Sequence, residues 1–146
     1  MYEKPTLEAT RAVRDTCLCL HVQRAARALA RRFDEGLRPV GLTNGQFSLM
    51  MSLNRPEPPG MASVAALLGM DRTTLTAAFK PLRRRGLLKI KADHADRRAR
   101  VAVLTSKGRR LLTRAVPVWK GIHIELEALL PQGEPDHLRK SLIAIS

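Results

Sequence analysis

The chain has 146 residues, which is enough for one compact domain and too few for two. Hydrophobic residues make up 45% of it, which allows a buried core and excludes wholesale disorder. Lysine and arginine total 26 against 13 acidic residues, and the resulting net charge of +13 predicts a polyanionic partner, either nucleic acid or an anionic membrane surface.

The excess positive charge is concentrated in residues 71–110. This segment contains thirteen basic and three acidic residues, so it carries +10 of the net +13. A solvated charged face would contain more acids among the cations. We therefore expect this segment to form the surface that meets the polyanion.

The sequence predicts a cytoplasmic protein without a signal peptide or a membrane-spanning segment. The N-terminal residues lack the basic segment and following apolar stretch of a signal peptide. No apolar run approaches the roughly 20 residues that a membrane-spanning helix needs. Cys17 and Cys19 lie two residues apart in a predicted helix, so their side chains should point to different sides. A mutual disulfide is not expected, which fits a reducing compartment.

Residues 10–40 have the pattern of one long helix. Apolar residues recur there at steps of three or four and form a single stripe: Leu18, Val22, Ala25, Leu29, Phe33 and Leu37. Over residues 17–22 the helix is apolar almost all round. Such a helix end requires a partner, and another subunit is the natural candidate.

A second helix is predicted to begin after Thr43, which forms a capping box with Gln46. Its expected buried face is Phe47, Met50, Met51 and Leu53. The proline-rich residues 55–60 end it in a loop.

Residues 61–85 are predicted to form a helix-turn-helix. A short helix over 61–68, with Val64, Leu67 and Leu68 inward, is followed by a turn at Gly69 and by Asp71 as the N-cap of the next helix. That helix should bury Leu75, Ala78, Phe79 and Leu82 and expose Arg72, Thr73, Thr76, Ala77, Lys80 and Arg84. The exposed face suits a DNA major groove. Pro81 is expected to end the groove-facing segment near Lys80.

A β-hairpin is predicted over residues 87–104, with strands at 87–91 and 101–104 and an arginine-rich tip at 94–98. A basic hairpin directly after a helix-turn-helix is typical of a wing, whose arginines can enter the minor groove. A long helix over 105–130, kinked at Pro117, and a last short helix follow. Because these terminal helices carry more apolar surface than so small a domain can cover, they favour dimerisation.

Five segments, in this order and spacing, resemble the multiple-antibiotic-resistance regulator (MarR) family over about residues 10–145. They are Leu42-Thr43-x-x-Gln46-Phe47, Leu67-Leu68-Gly69-Met70-Asp71-x-Thr73-Thr74-Leu75-Thr76, Leu82-x-x-x-Gly86-Leu87, Asp96-x-Arg98 ahead of Leu104-Thr105, and Lys107-Gly108.

The resemblance implies a mainly α fold with a small β-wing: a winged helix-turn-helix with N- and C-terminal dimerisation helices. Within a single domain, 1–146, the segments 10–40 and 105–146 would then dimerise and 41–104 would bind DNA. It further implies a homodimeric transcriptional regulator, usually a repressor, on a pseudo-palindromic operator. The positions that match the family's DNA contacts are Arg72, Thr73, Thr74, Thr76 and Lys80 on the helix and Arg97 and Arg98 in the wing, where Asp96 matches the acid that braces the wing.

The resemblance leaves the effector open between a small ligand and an oxidant. Cys19 lies near the position of the reactive cysteine of hydroperoxide-sensing relatives, but Gln23 and Phe33 stand where those relatives have tyrosines. Both cysteines can instead be small buried hydrophobes. Candidate linings for a ligand pocket are His21, Met50 and Trp119, each of which can equally be a packing residue.

Rival functions fit the sequence less well. RNA recognition relies on exposed aromatic platforms, and four of the five aromatic residues here lie on apolar stripes. The sequence has no paired carboxylates or nucleophile motif, so we expect no enzyme and no cofactor. Cys17-x-Cys19-x-His21 is not expected to bind a metal, because on a helix residue 19 points roughly 160° away from the other two.

Overall fold

A computed structural model describes residues 4–146. The fold is mainly helical with one two-stranded antiparallel sheet, which confirms the predicted fold class. The elements in chain order are α1 (Leu7–Thr16), α2 (Leu18–Leu37), a 3-10 turn (Arg38–Val40), α3 (Asn44–Ser52), α4 (Met61–Leu68), α5 (Arg72–Arg84), β1 (Leu88–Ala92), β2 (Arg100–Leu104), α6 (Ser106–Glu127) and α7 (Glu134–Ala144). Within this part of the chain, no helix combines the length and apolar composition needed to cross a bilayer.

The expectation of one long helix over 10–40 is wrong, because the chain breaks at Cys17. Cys17 has extended backbone angles, and its Sγ accepts a hydrogen bond from the Leu20 N–H at 3.5 Å, so it caps α2. Just before the break the Thr16 hydroxyl donates to the Ala12 carbonyl at 2.7 Å, a bond that competes with regular helix geometry. The two cysteines therefore do not lie on one helix.

The middle of the chain, from the end of α2 to α6, packs around a hydrophobic core. Leu37 at the end of α2, Met50 on α3, Leu82 on α5, Leu88 on β1 and Ala115 on α6 are all almost completely buried in it. Burial of this apolar surface is the main contribution that holds α3, α4, α5 and the sheet against α6.

Two predicted core positions face solvent instead. Met51 is 36% exposed, and its neighbour Leu49 is buried in its place. Leu67 is 72% exposed, and Ala65 joins Val64 in the core. Both helices are short, so periodicity alone left the direction of their buried faces poorly determined.

The helix α5 continues through Pro81 to Arg84, close to the end predicted for the helix-turn-helix at residue 85. A proline inside a helix removes the hydrogen bond to the carbonyl four residues earlier, which here belongs to Ala77. Ala77 is exposed, so water can satisfy that carbonyl, while Leu82 holds the next turn in the core. Pro117 is likewise accommodated within α6.

Candidate nucleic-acid interface

The turn between α4 and α5 fixes the start of α5. Gly69 has a left-handed backbone conformation (φ 64°), which a residue with a side chain adopts only with strain. The Asp71 carboxylate then accepts a hydrogen bond from the Thr74 backbone N–H at 2.7 Å. This backbone hydrogen bond, helped by the Thr74 side chain, lowers the pKa of Asp71, so the cap is a carboxylate at neutral pH.

The exposed face of α5 carries every helix residue predicted to contact DNA. Leu75, Phe79 and Leu82 are buried against the core, which turns the opposite face outward. On that face the Thr76 hydroxyl donates to the Arg72 carbonyl at 2.8 Å, leaving its methyl group and lone pairs available. The exposed predicted residues are Arg72, Thr73, Thr74, Thr76 and Lys80.

The wing is an antiparallel hairpin whose tip contains its own hydrogen bonds. Its strands pair in register from Leu88 with Leu104 to Ala92 with Arg100. At the tip the Asp96 carboxylate accepts a hydrogen bond from the Arg98 backbone N–H at 3.0 Å, and the Asp96 carbonyl accepts one from the Ala99 N–H at 3.0 Å. The side chains of Arg97 and Arg98 are exposed.

A cleft of about 320 Å³ separates α5 from the wing. Its floor is apolar and includes Leu75, Phe79 and Ile90, and its rim carries the cations Arg72, Lys80, Arg83 and Arg100. Neither Arg83 nor Arg100 was among the predicted contact residues. Arg100 pairs with Ala92, which lies two residues after Ile90 and therefore on the same face of the hairpin, the face towards α5. Only the strand register could have identified this position.

Hydrogen bonds tie the base of the wing to the start of α6. The Thr105 hydroxyl donates to the Gly86 carbonyl at 2.6 Å and also caps α6 by accepting from the Gly108 N–H at 3.1 Å. The Lys107 ammonium donates to the Arg85 carbonyl at 2.8 Å. The end of α5, the wing and α6 are therefore held as one unit.

The residues considered for effector sensing lie in different environments. Cys19 is exposed on α2, and its Sγ accepts a hydrogen bond from the Gln23 side-chain amide at 3.3 Å. His21 is exposed, with its Nδ1 2.8 Å from the Cys17 carbonyl oxygen. No three histidine, cysteine or acidic side chains converge as metal ligands in the part of the chain that the structure describes.

The other two candidates for a ligand pocket lie in or against the core. Met50 is fully buried on α3. Trp119 on α6 is half-buried and stacks between Phe47 and His123, with ring centroids 6.1 Å and 4.8 Å away. Neither residue lines the cleft beside α5.

The terminal helices expose a large apolar surface. Neither α1 nor α7 buries any residue, and the N-terminal half of α2 is exposed throughout. Leu18 is 70% exposed and Ile143 is 73% exposed. We call the following side chains the terminal apolar surface: Leu7, Val13, Leu18, Leu20, Val22, Ile124, Leu129, Leu130, Leu138, Leu142, Ile143 and Ile145.

Several known proteins are similar to this chain in fold and in sequence. The MarR family profile matches residues 42–99. The chain is similar to MosR of M. tuberculosis, solved in complex with DNA, at 38% identity over 89% of this chain and 93% of that one, with a TM-score of 0.79. It is also similar to the transcriptional repressor CouR, solved bound to a 23-mer DNA duplex (29% identity, 99% of both chains, TM-score 0.78). Transcriptional regulator HosA of Escherichia coli O111:H- is 30% identical over 70% of this chain and 75% of HosA.

Proposed function

Because the chain belongs to the MarR family of transcriptional regulators, we propose that it is a repressor that binds a pseudo-palindromic operator as a homodimer and leaves it when an effector acts. It would work by binding rather than by catalysis. Its place of action would be the cytoplasm, where the chromosome lies.

The exposed face of α5 is the observation that carries the DNA-binding proposal. No acidic residue occurs between Arg72 and Arg85, and the face combines threonines at the helix start with Lys80 further along. Small polar side chains at the start of a helix can reach base edges in the major groove, while cations on its flanks neutralise phosphates. We propose that Arg72, Thr73, Thr74, Thr76 and Lys80 make these contacts, and that Arg97 and Arg98 enter the adjacent minor groove.

The terminal apolar surface supports dimerisation through residues 10–40 and 105–146, leaving 41–104 to bind DNA. Burying this surface against a second copy removes apolar area from water, which is the main force for stable association. A twofold dimer presents two copies of α5, which fits half-sites about one helical turn apart.

The effector would be a small ligand or an oxidant. Cys19, whose Sγ accepts a hydrogen bond from Gln23, lies between Leu18 and Leu20 of the terminal apolar surface, so an oxidant that modified it would act at the proposed dimer interface. A ligand site that involves His21, Met50 and Trp119 would require α2, α3 and α6 to move apart, since Met50 is fully buried.

An anisotropy titration tests these proposals. The full chain is titrated against labelled DNA from upstream of its own gene, fully reduced and again after an organic hydroperoxide, with scrambled DNA as the control. Tight binding to the upstream DNA alone supports the regulator, and equal binding to scrambled DNA contradicts it. If oxidation abolishes DNA binding and added thiol restores it, the protein is an oxidant sensor. If the Cys19→Ser variant binds DNA equally well with and without oxidant, Cys19 is the sensing residue. Indifference to oxidant assigns regulation to a small ligand.

A further inference from the structure

The hairpin of β1 and β2 carries cations on both faces. Successive side chains of a strand point to opposite faces, so Ile90 faces α5 while Lys89 and Lys91 face away. Val103 is the strand partner of Lys89 and shares its face. The outer face of the hairpin is therefore a second basic surface, separate from the one beside α5.

This outer face forms one wall of a cavity of about 260 Å³, which we call the outer pocket. The loop after α3 contributes Arg55 to it, β1 contributes Lys89 and Lys91, and α6 contributes Arg109. Apolar residues, including Leu53 and Val103, line the rest of it. Four cations thus surround a partly apolar cavity, and no carboxylate lines it.

The four cations have no acidic partner among the residues that the structure describes. Over residues 4–146 no side chain of aspartate or glutamate lies within ion-pair distance of Arg55, Lys89, Lys91 or Arg109. Like charges held around one small cavity repel each other, and the apolar lining strengthens that repulsion. A bound anion would attract each of the four cations and so offset their mutual repulsion.

We propose that the outer pocket binds the diphosphate group of a small molecule. Guanidinium groups such as those of Arg55 and Arg109 match phosphate oxygens bidentately, and the two lysine ammonium groups add point charges. A volume of about 260 Å³ is slightly smaller than that of most ligand sites and suits a compact anion. A neutral aromatic ligand would make no charge-charge contact with any of the four cations.

The backbone of the operator is a less suitable occupant. The outer pocket lies on the side of the hairpin opposite the cleft beside α5, whereas the proposed base and phosphate contacts lie on α5 and at the wing tip. The pocket is also concave, and its lysines point away from α5.

Calorimetric titration of the DNA-free full chain with pyrophosphate, at matched ionic strength, tests the proposal. We expect saturable binding with one site per chain, weakened at least about tenfold in the double variant Lys89→Gln/Lys91→Gln. Lys89→Arg/Lys91→Arg should retain binding. The matched control Arg110→Gln/Arg114→Gln removes the same charge from an exposed part of α6 outside the pocket and should bind pyrophosphate as the wild type does.

Absence of saturable binding overturns the proposal, as does an equal loss in the control variant, which would mean binding through net charge alone. Arg55→Gln, in the exposed loop, gives an independent test if the double lysine variant does not fold. A salt dependence of operator affinity that falls by about two units in Lys89→Gln/Lys91→Gln would place these lysines on DNA phosphates and also overturn the proposal. An unchanged salt dependence supports it.

Discussion

The Asp34 carboxylate on α2 accepts two hydrogen bonds from Asn44 at the start of α3, one from its backbone N–H at 2.7 Å and one from its side-chain amide at 2.8 Å. The first is the larger cause of a lowered pKa for Asp34, and the second adds to it. A negative charge at a helix N-terminus also interacts favourably with the helix dipole. This pair joins the first long helix to the helix that begins the proposed DNA-binding part.

Replacing Asp34 with alanine is expected to destabilise the fold. The change leaves the Asn44 N–H without its partner, and since the site is only half-buried we expect a loss of about 1 kcal/mol in the free energy of unfolding. Urea denaturation measures it. Glu35→Ala removes the same charge from an exposed neighbour and should change stability little; equal losses in both variants would contradict the role of the Asn44 contact.

The same contact makes stability depend on pH in a defined direction. Because the pKa of Asp34 is lower in the folded than in the unfolded chain, its stabilising contribution is complete above the unfolded value and disappears as pH falls through the folded value. The stability difference between wild type and Asp34→Ala should therefore shrink below about pH 4. A difference that stays constant from pH 7 to pH 3 would argue against this origin.

Gly108 and Gly121 form a matched pair on α6. A Cβ at Gly108 would overlap the Leu87 backbone carbonyl, whereas a Cβ at Gly121 would meet no atom within 4 Å. We expect Gly108→Ala to lower the free energy of unfolding by about 2 kcal/mol, because the base of the wing must shift. Gly121→Ala should raise it by about 0.5 kcal/mol through helix propensity. Thermal or urea unfolding of both variants checks the pair. Equal changes in the two variants, or a larger loss of stability in Gly121→Ala, would contradict the close approach of α6 to Leu87.

Arg98→Ala is expected to weaken operator binding by about tenfold if its side chain occupies the minor groove. The Asp96 contact uses the Arg98 backbone N–H, so the substitution should leave the wing tip folded. Fluorescence anisotropy with the upstream DNA measures the effect. Arg114→Ala, on an exposed part of α6, is the control of equal charge. Wild-type affinity in Arg98→Ala would remove Arg98 from the interface.

Lys80→Ala is expected to change how operator affinity depends on salt. A phosphate contact releases bound counterions, so losing one should reduce the slope of log affinity against log salt by about one unit. The loss should be similar on different DNA sequences, because phosphate contacts carry no sequence information. A slope equal to that of the wild type would mean that Lys80 does not contact phosphate.

Ile143→Glu is expected to weaken self-association by burying a charge in the proposed dimer interface. Sedimentation equilibrium should show a lower average mass than for the wild type at the same concentration. Leu67 is equally exposed but lies on α4, outside the terminal apolar surface, so Leu67→Glu should leave the mass unchanged. The opposite pattern would move the interface to the helix-turn-helix.

Local features of this chain could be predicted because they depend on residues close in sequence. The capping box of Thr43 and Gln46 and the Asp71 cap each need atoms no more than three residues apart, and both are present. The hairpin strands were also placed to within one residue, since turn residues and β-branched residues mark them locally.

The sequence by itself determined the order of the elements from α3 onward, including the helix-turn-helix, the wing and the acid-free face of α5, because periodicity and capping are short-range properties. Only the tertiary structure decided which residues of short helices face the core, as Leu67 shows, and which faces of the hairpin hold Arg100 and Lys89. It alone joined Asp34 to Asn44 and gathered Arg55, Lys89, Lys91 and Arg109 around one cavity. Such relationships depend on strand register and on the packing of segments distant in sequence, which no local pattern specifies.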